Sequence, residues 1–522
     1  MINFWSFMKK NKNLVALIFI LVAIGFFTSY PLLSPASAIE PQIHWSNESL
    51  ISLLNLTLTA ADPSIATDSQ GNVHIIWMQK LSNIIGEVFY TKLDKFGNTI
   101  ISNQQLTNFN STYGFFSSIA VDKFDNIHIV WMYDLIGSTL HGTRYTRLYA
   151  NGTIAVNGVL LPGSGTGDPQ LSVDNLGNIN VAWRGDHDVY YGKFDNQGNL
   201  LVPIYSVYNA GIFEPLVIKL ATDNNGFSYL MWMEEFVANS TSRVAHVKYS
   251  YIDQFGNVLI NGSQLDIGMG GSDYPAIAID KQNNVIFSWN SDYNNASGIY
   301  LSKINSNGTF LINKKLVLPN VGNDGIVVNS LGRIGIFGQG RVFSQLDSLG
   351  NIIIGPTIMG AGQIYSPKFA SDRQGNIHIV WHEGQYRTAR VKYQRSLNPS
   401  NIVMLGSPRV GSSVNFLLQE SYDLKANYVL GMSTNISQGV TLPDGRITPL
   451  DNTPLLQTSL TNPQSIGLYN SIGRLRINQS KVTLAIPNIP SLSNSTFYTS
   501  FVTLDSNGNV VSISDAFEFT VI

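Results

Sequence analysis

The chain has 522 residues, with 32 lysines and arginines against 34 aspartates and glutamates, so its formal net charge is −2. Charged residues make up 13% of the chain, where roughly 25% is usual. This balance excludes the basic surface that nucleic-acid binding needs. The absence of cysteine excludes disulfides, cysteine-bound zinc and thiol nucleophiles. The hydrophobic share of 44% is enough for a packed core and excludes global disorder.

The N-terminus has the pattern of an export signal. Lys9, Lys10 and Lys12 precede an apolar run over residues 14–27, and Ala-Ser-Ala at residues 36–38 is a small-x-small cleavage site. The apolar run is shorter than the ~20 residues that cross a bilayer. We predict that residues 1–38 are a signal peptide, with an uncleaved membrane anchor as the alternative. Either places the rest of the chain outside the cytoplasm, secreted or at the cell surface, with no membrane contact except through an uncleaved anchor.

One unit recurs seven times, with its aromatic markers about 50 residues apart. The first copy reads Asp-Pro-Ser-Ile-Ala-Thr-Asp-Ser-Gln-Gly-Asn-Val-His-Ile-Ile-Trp. Alternating β-branched segments indicate four strands in each unit. We therefore predict an all-β fold, with a seven-bladed β-propeller over residues 39–397. The copies run from Asp62 to Trp77, Ser118 to Trp131, Asp168 to Trp183, Ala221 to Trp232, Tyr274 to Trp289, Ile326 to Phe337 and Ser366 to Trp381.

The Asp-x-x-Gly-Asn element recurs at the hairpins. Its glycine accepts a positive φ and its aspartate bonds to nearby backbone, so it predicts a tight turn. The alternative is a calcium loop, which needs more acidic ligands and a distal glutamate. We favour the turn; calcium is the one cofactor kept as an alternative.

The seventh unit ends without a fourth strand, and an orphan segment from His44 to Leu54 precedes the first unit. We predict that this segment is the outermost strand of the seventh blade and closes the ring. Such closure covers a sheet edge without a disulfide.

The predicted topology separates two faces. All tight turns share one face, while the loops between second and third strands and the connections between blades share the other, which we name the irregular-loop face. Loops carry binding function more often than regular hairpins do. We therefore predict a ligand site on the irregular-loop face, around the mouth of the central channel.

Residues 398–522 lack the blade pattern and show short alternating strands, which predict an Ig-like antiparallel β-sandwich. The strings Gly-Ser-Pro-Arg-Val-Gly at residues 406–411 and Pro-Asn-Ile-Pro at residues 487–490 resemble the C-terminal sandwich domain of many large bacterial secreted proteins. The blades resemble the broad group of secreted propellers with Asp-x-x-Gly-Asn-x-His-x-x-Trp repeats. The resemblance implies that residues 398–522 form a domain that follows a repeat region and has no catalytic role.

A sialidase-like enzyme is a further alternative, because those enzymes are also extracellular propellers. Their repeated Ser-x-Asp-x-Gly-x-Thr-Trp turn does not occur here. They also need three arginines for the substrate carboxylate. Nothing in the spacing of the arginines near irregular loops marks such a triad; these are Arg184, Arg243, Arg341, Arg387 and Arg390.

His74, His128 and His378 occupy one equivalent position in three blades. Imidazoles are good metal ligands, but residues on different blades lie apart, so we interpret these histidines as a repeated packing residue. The repeated tryptophans are predicted to pack between blades.

Polar residues follow each blade's tryptophan and begin its first strand. Converging carboxylates would favour a cation or hydroxyl-rich ligand, or acid–base chemistry if one pKa were raised. The alternative is a solvated rim, and Asp186-His187-Asp188 is the densest cluster. The candidate ligand-binding residues are Asp62, Asp134, Asp168, Arg184, Asp186, His187, Asp188, Glu234, Asp273, Asp292, His382 and Glu383.

We predict a secreted or surface binding or adhesion protein whose irregular-loop face takes an extracellular glycan or protein. No catalytic residue and no metal ligand is assigned. A glycan-acting hydrolase that uses carboxylates at the channel mouth is the first alternative. A structural envelope component is the second.

Overall fold

The protein divides into two compact units in a computed structural model: one is Trp45–Arg395, and the other includes Ser396–Ile522. The predicted signal segment, residues 1–38, lies outside the described residues. No helix in the described part of the chain is long and apolar enough to cross a membrane. The structure describes residues 44–522 except 54–58, 83–84, 96, 109–111, 136–140, 163–166, 240–241, 267–271, 293–295, 331, 361, 374, 385–388, 398–400, 420–425, 438, 443–446, 476–478, 506–507, 509 and 515.

The first unit is a β-propeller built from antiparallel groups of four strands, which we number as blades 1 to 7 in the order of the repeats. Blade 1 has β3 (Ala60–Thr67), β4 (Val73–Lys80), β5 (Gly86–Leu93) and β6 (Thr99–Gln105); blade 2 has β7 (Thr112–Val121), β8 (Ile127–Leu135), β9 (His141–Leu148) and β10 (Ile154–Leu160). Blade 3 has β11 (Gly167–Val173), β12 (Ile179–Arg184), β13 (Asp188–Phe194) and β14 (Leu200–Asn209); blade 4 has β15 (Glu214–Thr222), β16 (Ser228–Asn239), β17 (Ser242–Ile252) and β18 (Val258–Gln264). Blade 5 has β19 (Ser272–Ile279), β20 (Val285–Ser291), β21 (Gly298–Ile304) and β22 (Phe310–Pro319); blade 6 has β23 (Asn323–Val328), β24 (Ile334–Gly338), β25 (Val342–Leu346) and β26 (Ile352–Ile358). Blade 7 has β27 (Tyr365–Ser371), β28 (Ile377–Glu383) and β29 (Arg390–Leu397), joined by β1 (His44–Trp45) and β2 (Ser49–Leu50) from the N-terminal side.

The first strand of each blade packs against the first strand of the next, and β27 packs against β3, so the ring is closed. Thr67 Oγ1 donates to the Ser371 carbonyl oxygen at 2.8 Å across that junction. The predicted N-terminal closure is confirmed, because Ser49 lies opposite Tyr393 on β29 and Leu50 lies opposite Lys392.

Each first strand has a register shift against its second strand, which is a β-bulge. Each first strand is followed by an aspartate or asparagine that begins the tight turn, such as Asp68 in blade 1. In six blades the residue six positions before this turn residue has a positive φ; these residues are Asp62, Phe116, Asp168, Val217, Tyr274 and Ser366. A β-branched residue such as Val217, with φ 51°, is strained in this region. The bulge therefore belongs to the fold rather than to any one side chain.

The tight turns form as predicted. Asp68 accepts at one carboxylate oxygen from the Asn72 backbone N–H (2.8 Å) and at the other from the Asn72 side chain (2.8 Å). Gly71 supplies the left-handed conformation with φ 81°, while Asp125 fills that position in blade 2 with φ 63°. Both carboxylate oxygens of the turn aspartate therefore accept hydrogen bonds from its own loop.

The three equivalent histidines and the tryptophans are core residues, as predicted. His74 Nε2 lies 3.2 Å from Asp68 Oδ2, and His74 Nδ1 lies 2.8 Å from the Tyr90 hydroxyl oxygen. The same arrangement joins His128 to Asp122 and Tyr145, and His378 to Asp372 and Tyr393. The fully buried tryptophans are Trp77, Trp131, Trp183, Trp232, Trp289 and Trp381.

The second unit contains two antiparallel sheets whose side chains share one hydrophobic core, with Phe416 and Val482 from one sheet and Leu430 and Phe501 from the other. Its immunoglobulin-like class stays a prediction. A helix that the alternation does not predict, α1 (Pro454–Thr461), is capped by Thr453 Oγ1, which accepts from the Leu456 N–H at 3.2 Å. The first sheet has β30 (Asn401–Leu405), β31 (Ser413–Gln419), β35 (Leu468–Tyr469) and β37 (Gln479–Ala485); the second has β32 (Asn427–Ser433), β36 (Ile472–Arg474), β38 (Thr496–Leu504), β39 (Val510–Ile513) and β40 (Phe517–Thr520); β33 (Val440–Thr441) pairs with β34 (Ile447–Thr448), and 3-10 turns cover Pro463–Ile466 and Pro490–Leu492.

Candidate functional site

Four charged side chains from the first strands of four blades act on one another at the centre of the ring. Asp62 of blade 1 and Asp168 of blade 3 occupy the bulge position. Lys219 of blade 4 and Lys368 of blade 7 lie two positions further along their own strands. The first strands start at the irregular-loop face and end at the tight turns. The four residues, which we name the central charge cluster, therefore lie in the half of the ring nearer the irregular-loop face.

Burial and neighbouring charges shift the pKa values of Asp62, Lys219 and Lys368. Burial lowers the pKa of Lys219 to about 7, and the positive charge of Lys368 adds to this effect. Burial also lowers the pKa of Lys368, against the opposing charges of Asp62 and Asp168. Burial raises the pKa of Asp62, with Lys368 opposing the rise and Asp168 adding to it. Each shift shows a charged form that is poorly solvated in the free protein.

The cluster has no internal ion pairs. All four side chains are only partly exposed. Among the described residues, no group lies within 3.5 Å as a hydrogen-bond partner of the two ammonium groups, and no carboxylate lies within 4.0 Å of them. Elsewhere the same fold pairs its buried lysines: Lys193 Nζ lies 2.9 Å from Asp174, and Lys303 Nζ lies 2.9 Å from Asp280. Unpaired donors and acceptors that face one another can bind a polar ligand placed between them.

Two further carboxyl groups belong to the first strands. Burial raises the pKa of Asp324, on β23, to about 6. Burial also raises the pKa of Asp273, which accepts from Asn290 Nδ2 at 2.9 Å and feels the charge of the exposed Asp292. Asp273 and Asp292 therefore lie close enough in blade 5 for their charges to interact.

Glu383 belongs to an ion-pair network on blades 6 and 7. Arg341, which is 2% exposed, donates to Glu48 Oε1 at 2.5 Å and lies 3.8 Å from Glu383. Lys392 Nζ lies 2.9 Å from Glu48 and 2.5 Å from Glu383. The neighbouring His382 stacks on Tyr365, and burial lowers the pKa of His382. Because Glu48 comes from the closing N-terminal segment, we assign this network to ring closure.

Glu234 is buried in a similar pair on blade 4. Lys248 Nζ lies 2.6 Å from Glu234 Oε2, and the Tyr208 hydroxyl donates to Glu234 Oε1 at 2.9 Å. Its carboxylate oxygens are therefore satisfied by protein groups. This arrangement favours a structural role.

The densest sequence cluster lies in the turn between β12 and β13. Asp188 accepts from Ser206 (2.5 Å) and Asn209 (3.0 Å), while His187 Nδ1 lies 3.0 Å from the Phe213 carbonyl oxygen. Asp186 is exposed, and Arg184 pairs with Glu214 at 2.9 Å. The cluster therefore forms a solvated loop rather than a converging set of acids. The side chains of Asp134 and Arg243, and the whole of Arg387, lie outside the described part of the structure.

Metal binding finds no support in the described part of the chain, where no group of three or more histidine, aspartate or glutamate side chains is placed to hold an ion. A cavity of about 350 Å³ lies at the opposite mouth, at the tight-turn ends of the first strands. It is lined by turn residues such as Ser69, Lys123 and Arg373. The turn aspartates that also line it are held by their own loops.

Sequence reasoning selects Asp62 and Asp168 but misses Lys219 and Lys368. The two lysines can be found in the sequence by comparing the repeats at the position four residues before the turn aspartate. Blades 1 and 2 have serine there, and blade 5 has alanine. A lysine at this position occurs in blades 4 and 7 alone among the seven repeats.

The fold and the central charge cluster define an all-β protein of the propeller class with a polar centre. No protein-family profile matches the sequence, and no curated protein does either. A protein of unknown function from Dyadobacter fermentans DSM 18053 is similar in structure, with a TM-score of 0.43, 10% identity, and coverage of 68% of this chain and 98% of that one. The polysaccharide lyase Uly1 has a TM-score of 0.43 and 12% identity, covering 64% and 89%. The endo-arabinanase from Bacillus licheniformis has a TM-score of 0.30 and 15% identity, covering 50% and 99%. Similarities at this level carry no argument about function.

Proposed function

We propose that the protein is an extracytoplasmic binding protein that takes a hydroxyl-rich ligand, a glycan, at the central charge cluster. The observation that carries the proposal is the set of four partly exposed charged groups for which the described residues provide no hydrogen-bond or ion-pair partner. Such groups cost stability, and proteins retain them where a ligand satisfies them. Carboxylates accept from sugar hydroxyls and ammonium groups donate to them. The location outside the cytoplasm rests on the predicted signal segment.

A glycan hydrolase is the second candidate, and the raised pKa of Asp62 is the observation in its favour. Glycosidases use one carboxylic acid as a proton donor and a second carboxylate as base or nucleophile. Asp62 would be the acid and Asp168 its partner. Lys368, whose charge acts on both aspartates, works against a protonated Asp62. Binding is therefore the function we put first.

A glycan array with the wild-type protein and the variants D62N and D168N tests the proposal. Asparagine also tolerates the left-handed backbone of the bulge, so both variants are expected to fold. We expect each variant to weaken glycan binding at least tenfold, because the lost carboxylate no longer accepts from hydroxyls. D186N, on the exposed loop, is the matched control and should bind like wild type.

Two outcomes would contradict the proposed binding role. The first is wild-type binding to no glycan on the array. The second is binding that D62N and D168N leave unchanged. If the wild-type protein generates new reducing ends in a bound glycan and D62N does not, the proposed binding role is replaced by glycan hydrolysis.

A further inference from the structure

Lys219 and Lys368 form a pair of like charges held on opposite sides of the ring. They stand on the first strands of blades 4 and 7, which are three blades apart in a ring of seven. The charge of Lys368 lowers the pKa of Lys219, and the charge of Asp168 acts on both lysines. Lys193 and Lys303 each pair with an aspartate at 2.9 Å, whereas no described aspartate or glutamate pairs with Lys219 or Lys368 in this way.

We propose that Lys219 and Lys368 together bind one carboxylate of the ligand, so that the ligand class is an acidic glycan built from hexuronic acids. This inference rests on the proposed glycan-binding function and narrows it. One anion placed between two ammonium groups removes their repulsion and gives each an acceptor. The hydroxyls of the same sugar supply donors for Asp62 and Asp168.

The aspartates set the charge of the preferred ligand. Asp168 acts on both lysines and Asp62 acts on Lys368, so the cluster carries two positive and two negative groups when all are ionised. A monoanion gains two ammonium contacts at the cost of repulsion from the aspartates. A dianion such as a phosphate monoester doubles both the attraction and the repulsion but costs far more to remove from water, which favours a carboxylate over it.

Proton uptake is a consequence of this arrangement. Lys219 has a pKa of about 7 because of burial and Lys368, while Asp168 opposes that shift. At pH 8 the Lys219 side chain is neutral in most of the molecules. A bound carboxylate favours the ammonium form, so binding should take up a proton between about pH 7 and pH 9.

Isothermal titration calorimetry with trigalacturonate, and with its fully methyl-esterified form as the neutral control, tests the inference. We expect the acid to bind at least tenfold more tightly than the ester. K219M and K368M should each weaken trigalacturonate binding at least tenfold while changing ester binding less than threefold. K481M, an exposed lysine in the second unit, is the matched control and should change neither.

Calorimetry at pH 8 in buffers of different ionisation enthalpy should show proton uptake for wild type and its loss in K219M. Thermal melts establish that both variants fold. Equal binding of acid and ester, with both weakened by D62N, would overturn the carboxylate inference and leave the glycan-binding function standing. Tighter binding of a sulfated neutral oligosaccharide than of trigalacturonate would replace the carboxylate with a sulfate ester. No binding of any of the three would overturn the inference, while the glycan array decides the broader function.

Discussion

At the scale of one residue, Lys219 has no aspartate partner among the described residues, whereas Lys193 and Lys303 each pair with one. Its pKa is lowered to about 7 by burial, far below the ordinary value of 10.5. In the unfolded chain the amine regains its ordinary pKa, so the unfolded state binds more protons between about pH 7 and pH 10. The free energy of unfolding therefore gains a contribution from Lys219 that rises with pH across this window.

We predict that K219M is at least as stable as wild type at pH 7 and lacks this pH-dependent rise. Chemical denaturation at pH 7.5 and pH 9 measures the free energy of unfolding of both proteins. Both pH values lie below the range in which the buried tyrosines titrate. The difference between the two proteins should shrink as the pH rises. A variant clearly less stable than wild type at pH 7 would show that Lys219 stabilises the fold.

The histidine, aspartate and tyrosine of a blade act as one element. The carboxylate of Asp68 only accepts, so His74 Nε2 carries the proton and His74 Nδ1 accepts from Tyr90. Burial lowers the pKa of His74 and so keeps the ring neutral. Blade 4 has Tyr229 where blade 1 has His74, and there the pKa of the turn residue Asp223 is raised by burial.

We predict that H74A destabilises the protein by about 2–4 kcal/mol, because it removes a buried hydrogen bond to Asp68 and takes away the partner of the buried Tyr90 hydroxyl. Urea denaturation measures the loss. The exposed-loop variant H187A is the control and should stay within about 0.5 kcal/mol of wild type. An H74A protein as stable as H187A would refute the structural role of the triad.

The turns, the tryptophan markers and the strand alternation can be predicted from sequence because each is local and recurs along the chain. The central charge cluster cannot, because Asp62 and Lys368 are about 300 residues apart and meet only when the ring closes. The bulge also breaks the strict alternation on which strand patterns depend. Helix α1 escapes a search for alternation, although Thr453-Pro454 is a helix-start signal.

Ring closure is the property of the whole molecule on which the site depends. The closing segment pairs with β29, and its Glu48 bonds both the buried Arg341 and Lys392. We predict that deletion of residues 39–60 lowers the thermal midpoint sharply. E48Q should lower it by a smaller amount, since Arg341 loses its closer ionic partner but keeps a hydrogen-bond acceptor there and the more distant Glu383.

Differential scanning calorimetry compares these two proteins with wild type. E518Q, at an exposed position in the second unit, is the control for the loss of one negative charge. An unchanged midpoint after the deletion would contradict closure by this segment.

Reductive methylation with formaldehyde at pH 7.5, followed by mass spectrometry of each lysine, tests the central charge cluster most directly. The reagent is small enough to enter the ring and reacts with neutral, accessible amines. Lys219 should be methylated faster than the buried, ion-paired Lys193 and Lys303, because its amine is unpaired, partly exposed and largely deprotonated. Methylation of Lys219 no faster than that of Lys193 and Lys303 would contradict an open, unpaired cluster at the centre of the ring.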